Sequence, residues 1–529
     1  MTQMLKSAGA MGAATLLSRC LGLVREMVYA NFMGTGPVAG AFKLAFMIPN
    51  LFRRLLGEGA LTAAFIPIFK EKEVTAGDNE MWRAANAVIC GLILAAGGLI
   101  ILAIAGISVA LHAGSYSEQT LLMLKLLRVM FPYLFMVCLA AMFMGMLNAR
   151  GYFFIPAMGA TMLNVVMILT VLLLAPRFGE QLEDQIRALA VGVLMAGAAQ
   201  VTFQWPLLRR EGFRLAWIRP WANPTVQEVL KKMVPGTIGV AAFQINMLTT
   251  QGVAFAVDPT IVASFDVAVR LMELPQGVFG ISLATFLLPT LAGLAAKKDF
   301  PEFRSTLRQG MEYLTFVNLL AAALLIVLAR PIVRLLFERG QFDVDSTWQS
   351  AQALACLAPG LLAFSLVNIL ARSFYALKDT QTPMKISAFC LILNIVFTLW
   401  LVVPYRQAGL GIANTMSSAV NVWLLLYALR RKLKYFGLKE WWRTARSTLG
   451  AALMSALVAW ITLHFWDTHL GYDSFPRRLG EVFVPMIIAS LVYFTLTKWM
   501  GVQAASDVLN LIKEKLRFSS SESGKNSEN

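Results

Sequence analysis

The feature that most constrains this chain is a succession of apolar stretches, each long enough to cross a lipid bilayer as a helix. A spanning helix needs about 20 mostly apolar residues, and the sequence contains about fourteen such stretches. Because hydrocarbon cannot satisfy free backbone polar groups, stretches of this kind fold as helices. We therefore predict an all-α polytopic membrane protein. The stretches cover residues 7–33, 38–67, 83–112, 119–148, 152–175, 187–208, 227–257, 261–295, 312–337, 348–376, 384–404, 408–429, 447–466 and 480–500.

Composition and the placement of charge support the same class. Of 529 residues, 58% are hydrophobic and 14% are charged, whereas a soluble domain carries about 25% charged residues. The net charge of +16 does not indicate a nucleic-acid partner, because the basic residues cluster in short loops between the apolar stretches. The positive-inside rule assigns those loops, and with them both chain termini, to the cytoplasm. The most basic of the loops are 209–226, 296–311 and 430–446.

An internal repeat divides the predicted spans into two sets. The segments that begin at Pro49 and Pro275 both run from one proline to another through small residues, 226 positions apart. Segments 147–156 and 376–383 form a second pair, with their prolines 227 positions apart. The offset contains an even number of spans, so the sets are parallel repeats about an axis along the membrane normal. The predicted regions are an N-terminal lobe of six helices (1–222), a C-terminal lobe of six helices (223–435), two further helices (436–503) and a partly disordered cytoplasmic tail (504–529).

Charged residues inside the spans indicate the chemistry of the site. Each charge at the bilayer centre costs about 2.5–3.5 kcal/mol, so such residues face a protein interior or a watery cavity. Basic residues outnumber acidic ones, and the planar fork of arginine binds phosphate through two hydrogen bonds. We therefore predict a cationic cavity that takes an anionic, diphosphate-bearing substrate. The charges are Arg19, Arg25, Glu26, Lys43, Arg53, Arg54 and Glu58 in the N-terminal lobe, and Asp266, Arg270, Glu273 and Arg372 in the C-terminal lobe.

These charges also have structural alternatives. Some would simply neutralise one another as internal ion pairs, namely Arg25 with Glu26, Arg270 with Asp266, and Arg53 with Glu58. Arg54 would extend to a membrane interface. Asn50, which follows Pro49, would bond backbone groups that the proline frees. Arg19, Arg25, Arg53 and Arg270 are the main candidates for the site, with Glu58 as its acid and Lys43, Arg54 and Arg372 as secondary candidates.

No catalytic machinery is predicted. The sequence contains no phosphate-binding P-loop, no nucleophile and base pair, and no metal-ligand set. We therefore expect a transporter without a cofactor, driven by an ion gradient, the membrane potential or the gradient of its substrate.

Four segments resemble the MurJ (MviN) family, whose members are lipid II flippases of the multidrug/oligosaccharidyl-lipid/polysaccharide superfamily. The segments are S-R-C-L-G-L-V-R-E (18–26), F-M-I-P-N-L-F-R-R-L-L-G-E-G-A-L-T-A-A-F-I-P (46–67), R-L-M-E-L-P-Q-G-V-F-G (270–280) and D-T-Q-T-P-M-K (379–385). The resemblance implies fourteen helices, the last two bordering a groove for a prenyl tail. It also implies export of undecaprenyl-diphosphate-linked MurNAc-peptide-GlcNAc across the bacterial inner membrane for peptidoglycan synthesis.

The resemblance also assigns roles to individual residues. Arg19, Arg25 and Arg53 would hold the diphosphate and sugar, and Arg270 would join them. Glu58 would help to couple or gate transport, and we add Asn50 and Asp266 as further candidates for gating or coupling. The expected partners are lipid II and membrane lipids. We expect a monomer that works beside the proteins of cell-wall synthesis.

The chain departs from the family pattern at several positions. Many relatives have an acid where Gly40 and Val269 stand here, and a lysine where Met47 stands, so Asp266 is a candidate substitute acid. Part of the family binds sodium in the C-terminal lobe. Asn246 and Asn394 are the candidate ligands for such an ion here, although acidic ligands are not evident.

Other functions are compatible with the same sequence. One is a drug/cation antiporter, or another polyprenyl-linked oligosaccharide flippase, of the same superfamily. Such an antiporter needs a cavity rich in acids. A non-transporting scaffold that docks wall-synthesis enzymes through loop 430–446 is the alternative from a different class.

Overall fold

A computed structural model describes residues 2–54, 60–434 and 437–507 of the chain. These residues form helices and no strand, which confirms the predicted all-α class. Most of the predicted tail, residues 508–529, lies outside the described part. Packing groups the chain into two compact units. One consists of Met1–Ala263 and Arg339–Asp343, and the other of Ser264–Glu338 and Val344–Asn529.

Eight helices lie within the described part of the first unit. Helix α1 packs against α6, α3 against α8, and α2 against α4. Helix α8 therefore groups with the first unit, although the sequence places it first in the second lobe. The six-plus-six division stays a prediction. The helices are α1 (Thr2–Met33), α2 (Pro37–Phe52), α3 (Ala60–Ala113), α4 (Glu118–Met130), α5 (Tyr133–Ala149), α6 (Phe154–Leu169), α7 (Leu182–Arg210) and α8 (Pro224–Val257).

Helix α9 begins in the first unit and continues into the second. The last two helices pack against each other, and α16 also packs against α11. A short helical stretch with a wider turn, Gln276–Ile281, joins α9 to α10. The helices are α9 (Pro259–Pro275), α10 (Ser282–Ala296), α11 (Phe300–Val327), α12 (Ala329–Phe337), α13 (Val344–Leu357), α14 (Gly360–Ala376), α15 (Gln381–Leu433), α16 (Leu438–His469) and α17 (Phe475–Trp499).

Length and composition allow many of these helices to cross a membrane. Within the described residues, seven are long and apolar enough, or up to nine if each of two bent helix pairs forms one span. The pairs α4–α5 and α13–α14 bend by 44° and 46°. Two helices of the seven, α3 and α15, each contain a residue with non-helical backbone, Gly77 and Arg406. The polytopic fold is confirmed, whereas the count of fourteen spans stays a prediction.

Each unit has its own apolar core. In the first, Tyr29 and Phe42 from α1 and α2 pack with Tyr133 and Leu189 from α5 and α7. In the second, residues of α11, α14, α15 and α16 pack together, with Phe374 among them. Burying such side chains contributes roughly 1.5–3 kcal/mol each. These cores hold the helices that carry the charged residues.

Candidate functional site

Helices α1 and α2 bring two basic side chains of the first unit onto one buried carboxylate. Arg25 Nη2 donates to Glu26 Oε1 at 2.5 Å, and Lys43 Nζ lies 3.8 Å from Glu26 Oε2. Arg25 also lies over the ring of Tyr29, 5.5 Å from its centroid. All three charged side chains are at least 87% buried. The cluster of Arg25, Glu26 and Lys43, which we call the basic cluster, places two basic side chains and a carboxylate together away from bulk water.

The end of α2 presents a second basic side chain in a defined orientation. Arg53 Nε donates to Asn50 Oδ1 at 2.7 Å. Asn50 follows Pro49, which lies inside the helix. The amide of Asn50 therefore orients the guanidinium of Arg53, a role that the sequence did not indicate.

The other candidates of the first unit are placed as follows. Arg54 follows Arg53 and is partly exposed, and Arg19 is exposed on α1. Next to Arg19, the carbonyl of Ser18 accepts a hydrogen bond from Asn164 of α6 at 3.3 Å. Glu58 lies outside the described residues.

In the second unit, Arg270 lies between two acids of its own helix. Its Nη1 donates to Glu273 Oε2 at 3.2 Å, and its Nε lies 4.0 Å from Asp266 Oδ1. Arg372 of α14 donates to Thr285 Oγ1 of α10 at 2.6 Å. The ion pair of Arg270 with Asp266, foreseen as an alternative, is thus present, with Glu273 as a closer partner.

Gly40 has a steric reason to be glycine. A Cβ atom at this position would overlap the carbonyl group of Pro259, so the backbones of α2 and α9 approach too closely for any side chain. The acid that many relatives carry here has no room in this chain. Glu26, on α1 and before the turn at 34–36, supplies a buried acid beside α2 instead.

The two candidate sodium ligands lie in different surroundings. Asn394 donates to Asn414 Oδ1 at 3.2 Å and to Ser417 Oγ at 3.0 Å, and its Oδ1 accepts from Thr398 at 3.3 Å. Asn246 is buried in the first unit. A hard cation takes free oxygen ligands, commonly carboxylates. The hydrogen-bond partners of Asn394 are an amide and two hydroxyl groups, and no carboxylate is among these three partners.

An ion-pair network anchors the short loop after α5. Arg150 Nε donates to Glu211 Oε2 at 3.0 Å, and its Nη1 donates to Glu73 Oε1 at 2.7 Å. Tyr152 donates to Glu211 Oε1 at 2.7 Å. The hydrogen bond from Tyr152, followed by that from Arg150, holds the pKa of Glu211 below its usual value. In the sequence this loop is recognisable only as one half of the repeat, and its anchoring is not predicted.

The repeat partner of that loop is anchored with opposite charges. Lys432, near the end of α15, donates to Asp379 Oδ2 at 2.7 Å, and the backbone N–H of Thr382 donates to Asp379 Oδ1 at 3.0 Å. In the first unit the loop residue is the base Arg150, and in the second unit the loop residue is the acid Asp379. The shared position of the two anchors agrees with the internal repeat.

The Asp379 anchor is expected to make stability depend on pH. The hydrogen bond from Lys432, followed by that from the Thr382 backbone, lowers the pKa of Asp379 from 3.8 to about 2. A lowered folded-state pKa contributes stability above the unfolded value, and this contribution is lost as the pH falls through about 2. We expect Asp379→Asn to cost about 1 kcal/mol at pH 7, since solvent screens a pair at a loop. Thermal unfolding from pH 7 downward should show the difference from wild type vanish near pH 2.

A double-mutant cycle tests whether Asp379 and Lys432 act through their shared hydrogen bond. Lys432→Met should cause a similar loss, and adding Asp379→Asn to it should cost little more, because both remove one interaction. Fully additive losses, or a difference that persists unchanged at low pH, would contradict the anchor.

The second unit contains a buried ion pair that is not predicted from the sequence. Arg334 of α12 donates to Glu481 Oε1 of α17 at 2.5 Å, and the two side chains are only 4% and 1% exposed. Arg334 also lies over the ring of Tyr472, 3.6 Å from its centroid. Glu338 lies 3.7 Å from Arg334 and 3.4 Å from Arg478. An acid within an apolar stretch, Glu481, was the available signal, but its partner lies 147 positions away.

Comparison with solved structures supports the observed fold. The structure called "Lipid II flippase MurJ, inward closed conformation" aligns with a TM-score of 0.75 at 24% identity, over 93% of this chain and 98% of that one. An inward-facing multidrug resistance MATE family transporter of the MOP superfamily aligns with a TM-score of 0.65 at 16% identity, over 81% and 98% of the two chains. At these identities the likeness concerns the fold alone.

Sequence comparison covers nearly the whole chain. Residues 29–480 match the family described as "Lipid II flippase MurJ". The "Probable lipid II flippase MurJ" of Haemophilus influenzae is 33% identical over 516 residues, which are 92% of this chain and 98% of the relative. The "Lipid II flippase MurJ" of Burkholderia cenocepacia is 32% identical over 501 residues, or 93% and 96% of the two chains. A match of this extent, on a helical fold with a buried basic cluster, shows that the chain belongs to the MurJ family.

Proposed function

We propose that this chain flips lipid II, the undecaprenyl-diphosphate-linked MurNAc-peptide-GlcNAc precursor of peptidoglycan, from the inner to the outer leaflet of the bacterial inner membrane. The observation that carries the proposal is the basic cluster, in which Arg25 and Lys43 both lie against the buried carboxylate of Glu26. Two buried basic side chains inside an apolar helical unit favour an anionic ligand. Membership in the MurJ family identifies the ligand as a lipid-linked diphosphate.

The basic cluster suggests how substrate binding would proceed. Without substrate, Glu26 neutralises Arg25, which keeps a buried charge compensated. A diphosphate offers Arg25 more charge and a bidentate partner, so it would displace Glu26, which retains Lys43. Arg53, oriented by Asn50, would bind a second phosphate oxygen. Arg19 and Arg270 are further proposed substrate-binding residues, and Glu58, Asn50 and Asp266 are proposed gating residues.

Transport would follow from alternating access. The parallel repeats would rock so that the substrate site opens first to the cytoplasm and then outward. An interior-negative membrane potential favours outward movement of a negative headgroup by about 2.3 kcal/mol per charge and 100 mV. We therefore propose the membrane potential as an energy source.

The proposed topology and assembly follow the sequence analysis. Both termini would be cytoplasmic, since this orientation puts the basic loops inside. The last two helices, α16 and α17, would border the prenyl tail. The chain would act as a monomer beside proteins of cell-wall synthesis.

The test measures where lipid II accumulates. In cells that depend on this chain for growth and contain no other flippase, depletion should leave newly made lipid II in the inner leaflet, out of reach of reagents that act from outside. Re-expression of the wild-type chain, or of the exposed-site variant Arg187→Ala, should restore outward appearance, because Arg187 only pairs with Asp184 at the surface. Normal outward appearance in depleted cells would refute the proposal.

A drug/cation antiporter is the second candidate, because the fold is also similar to that of a MATE transporter. A cation would be repelled by the basic cluster. If the antiporter were correct, the charge reversal Arg53→Glu should increase export of a cationic dye. For a flippase, the same change should abolish lipid II transport and leave dye export at the background level.

A further inference from the structure

The second unit contains a cavity of about 460 Å³ that the proposed transport site does not use. Its walls are the first turns of α13, with Asp345, Trp348, Gln349 and Gln352, and segment 404–408 of α15. Small-molecule sites commonly have volumes of about 300–1,000 Å³. In the predicted topology this end of the unit faces away from the cytoplasm.

A strained bend in α15 builds one wall of the cavity. Arg406 has φ 51° and ψ −127° at the kink where the two helical parts of α15 meet, a conformation that costs about 1–3 kcal/mol for a residue other than glycine. A Cβ at Gly409 would overlap the carbonyl group of Leu401, so the bend is closely packed. Gln407 is buried and donates to Gln352 Oε1 at 2.9 Å, which ties the bend to α13. Strain of this kind persists where the surrounding structure holds it and is concentrated at functional sites.

The lining of the cavity combines aromatic rings with amides. Trp348 and Tyr405 are about half exposed, at 51% and 57%. Gln349 has a buried amide oxygen without a hydrogen-bond partner among the described residues. Aromatic rings offer a flat apolar face, and amides both donate and accept hydrogen bonds. Asp345 and Arg406 balance each other in formal charge.

This chemistry selects a neutral ligand with many hydroxyl groups. One acid and one base line the cavity, so the lining as a whole favours neither sign of ligand charge. A sugar ring presents C–H groups on its faces and hydroxyls at its edge, which match the aromatic rings and the amides respectively. We propose that the cavity is a saccharide-binding site for one or two sugar rings. Only the source of the saccharide, a lipid-linked headgroup or free glycan, rests on the proposed function.

The test uses photolabelling of the full-length protein in nanodiscs. The probe is a diazirine derivative of chitobiose, a neutral disaccharide, and mass spectrometry locates the labelled peptides. We expect label on segments 345–352 and 404–408, competed by unlabelled chitobiose. Trp348→Ala and Gln349→Ala should each weaken the competition about tenfold, equivalent to about 1.4 kcal/mol. Trp499→Ala is the matched control, since Trp499 is 84% exposed at the end of α17 and should leave labelling unchanged.

Further competition experiments distinguish lipid-linked saccharide from free glycan, and both of these from a lipid headgroup. Stronger competition by lipid II than by chitobiose would assign the site to lipid-linked saccharide, and equal competition would assign it to free glycan. Label elsewhere, or label insensitive to Trp348→Ala in a variant of normal thermal stability, would overturn the proposal. Loss of label on adding anionic lipid, without competition by chitobiose, would overturn it in favour of a lipid headgroup. Photolabelling does not require transport. A failed test of lipid II flipping would therefore not contradict the saccharide site, and a failed labelling test would not contradict lipid II flipping.

Discussion

Arg25→Ala is expected to abolish lipid II flipping at normal membrane levels of the protein. Hydrogen bonds to charged groups contribute about 1.5–3 kcal/mol each, so losing a bidentate phosphate contact should reduce substrate affinity about a hundredfold. Arg25→Lys should recover only part of the activity, because an ammonium lacks the planar fork. The measurements are growth of cells that depend on this chain and the leaflet distribution of labelled lipid II.

A double variant separates substrate binding from internal neutralisation. If Arg25 only compensates Glu26, to which it is hydrogen-bonded, then adding Glu26→Gln to Arg25→Ala should restore function. If Arg25 binds the diphosphate, the double variant should be stable and remain inactive. Recovery of flipping in the double variant would therefore contradict the proposed role of Arg25.

Arg334→Met is expected to lower the free energy of unfolding by about 3–5 kcal/mol. The change leaves the carboxylate of Glu481, which is 1% exposed, without its charged partner, and an uncompensated buried charge destabilises by about that amount. It also removes the contact between the guanidinium and the ring of Tyr472. Thermal or denaturant unfolding in detergent, compared with the wild type, measures the effect.

Two controls make this prediction specific to the buried pair. Arg334→Met combined with Glu481→Leu should regain most of the lost stability, because apolar residues of similar volume often replace a buried ion pair without loss. Arg477→Met should cost less than about 1 kcal/mol, since Arg477 pairs with Asp473 at 3.6 Å on the exposed surface. Equal losses in the free energy of unfolding for Arg334→Met and Arg477→Met would contradict a larger contribution from the buried pair than from the exposed one.

The sequence identified the apolar helices because hydrophobic length is a local property. It also identified which charges lie in apolar surroundings, including Arg25, Lys43 and Arg53. The repeat that it predicts pairs the loop at Arg150 with the loop at Asp379, and each loop is anchored by an ion pair. It foresaw Arg25–Glu26 and Arg270–Asp266 only as alternatives, and both pairs exist.

By itself, then, the sequence determined the membrane class, the helical fold and the basic character of the first unit, because each follows from the cost of placing residues in hydrocarbon. Only the tertiary structure decided which charges meet. Lys43 reaches Glu26 across the α1–α2 turn, and Arg334 reaches Glu481 over 147 positions. The cavity beside Trp348 likewise arises where a bend in α15 faces α13. A sequence records the cost of each buried charge locally, whereas its compensating partner is supplied by packing between helices that are distant along the chain.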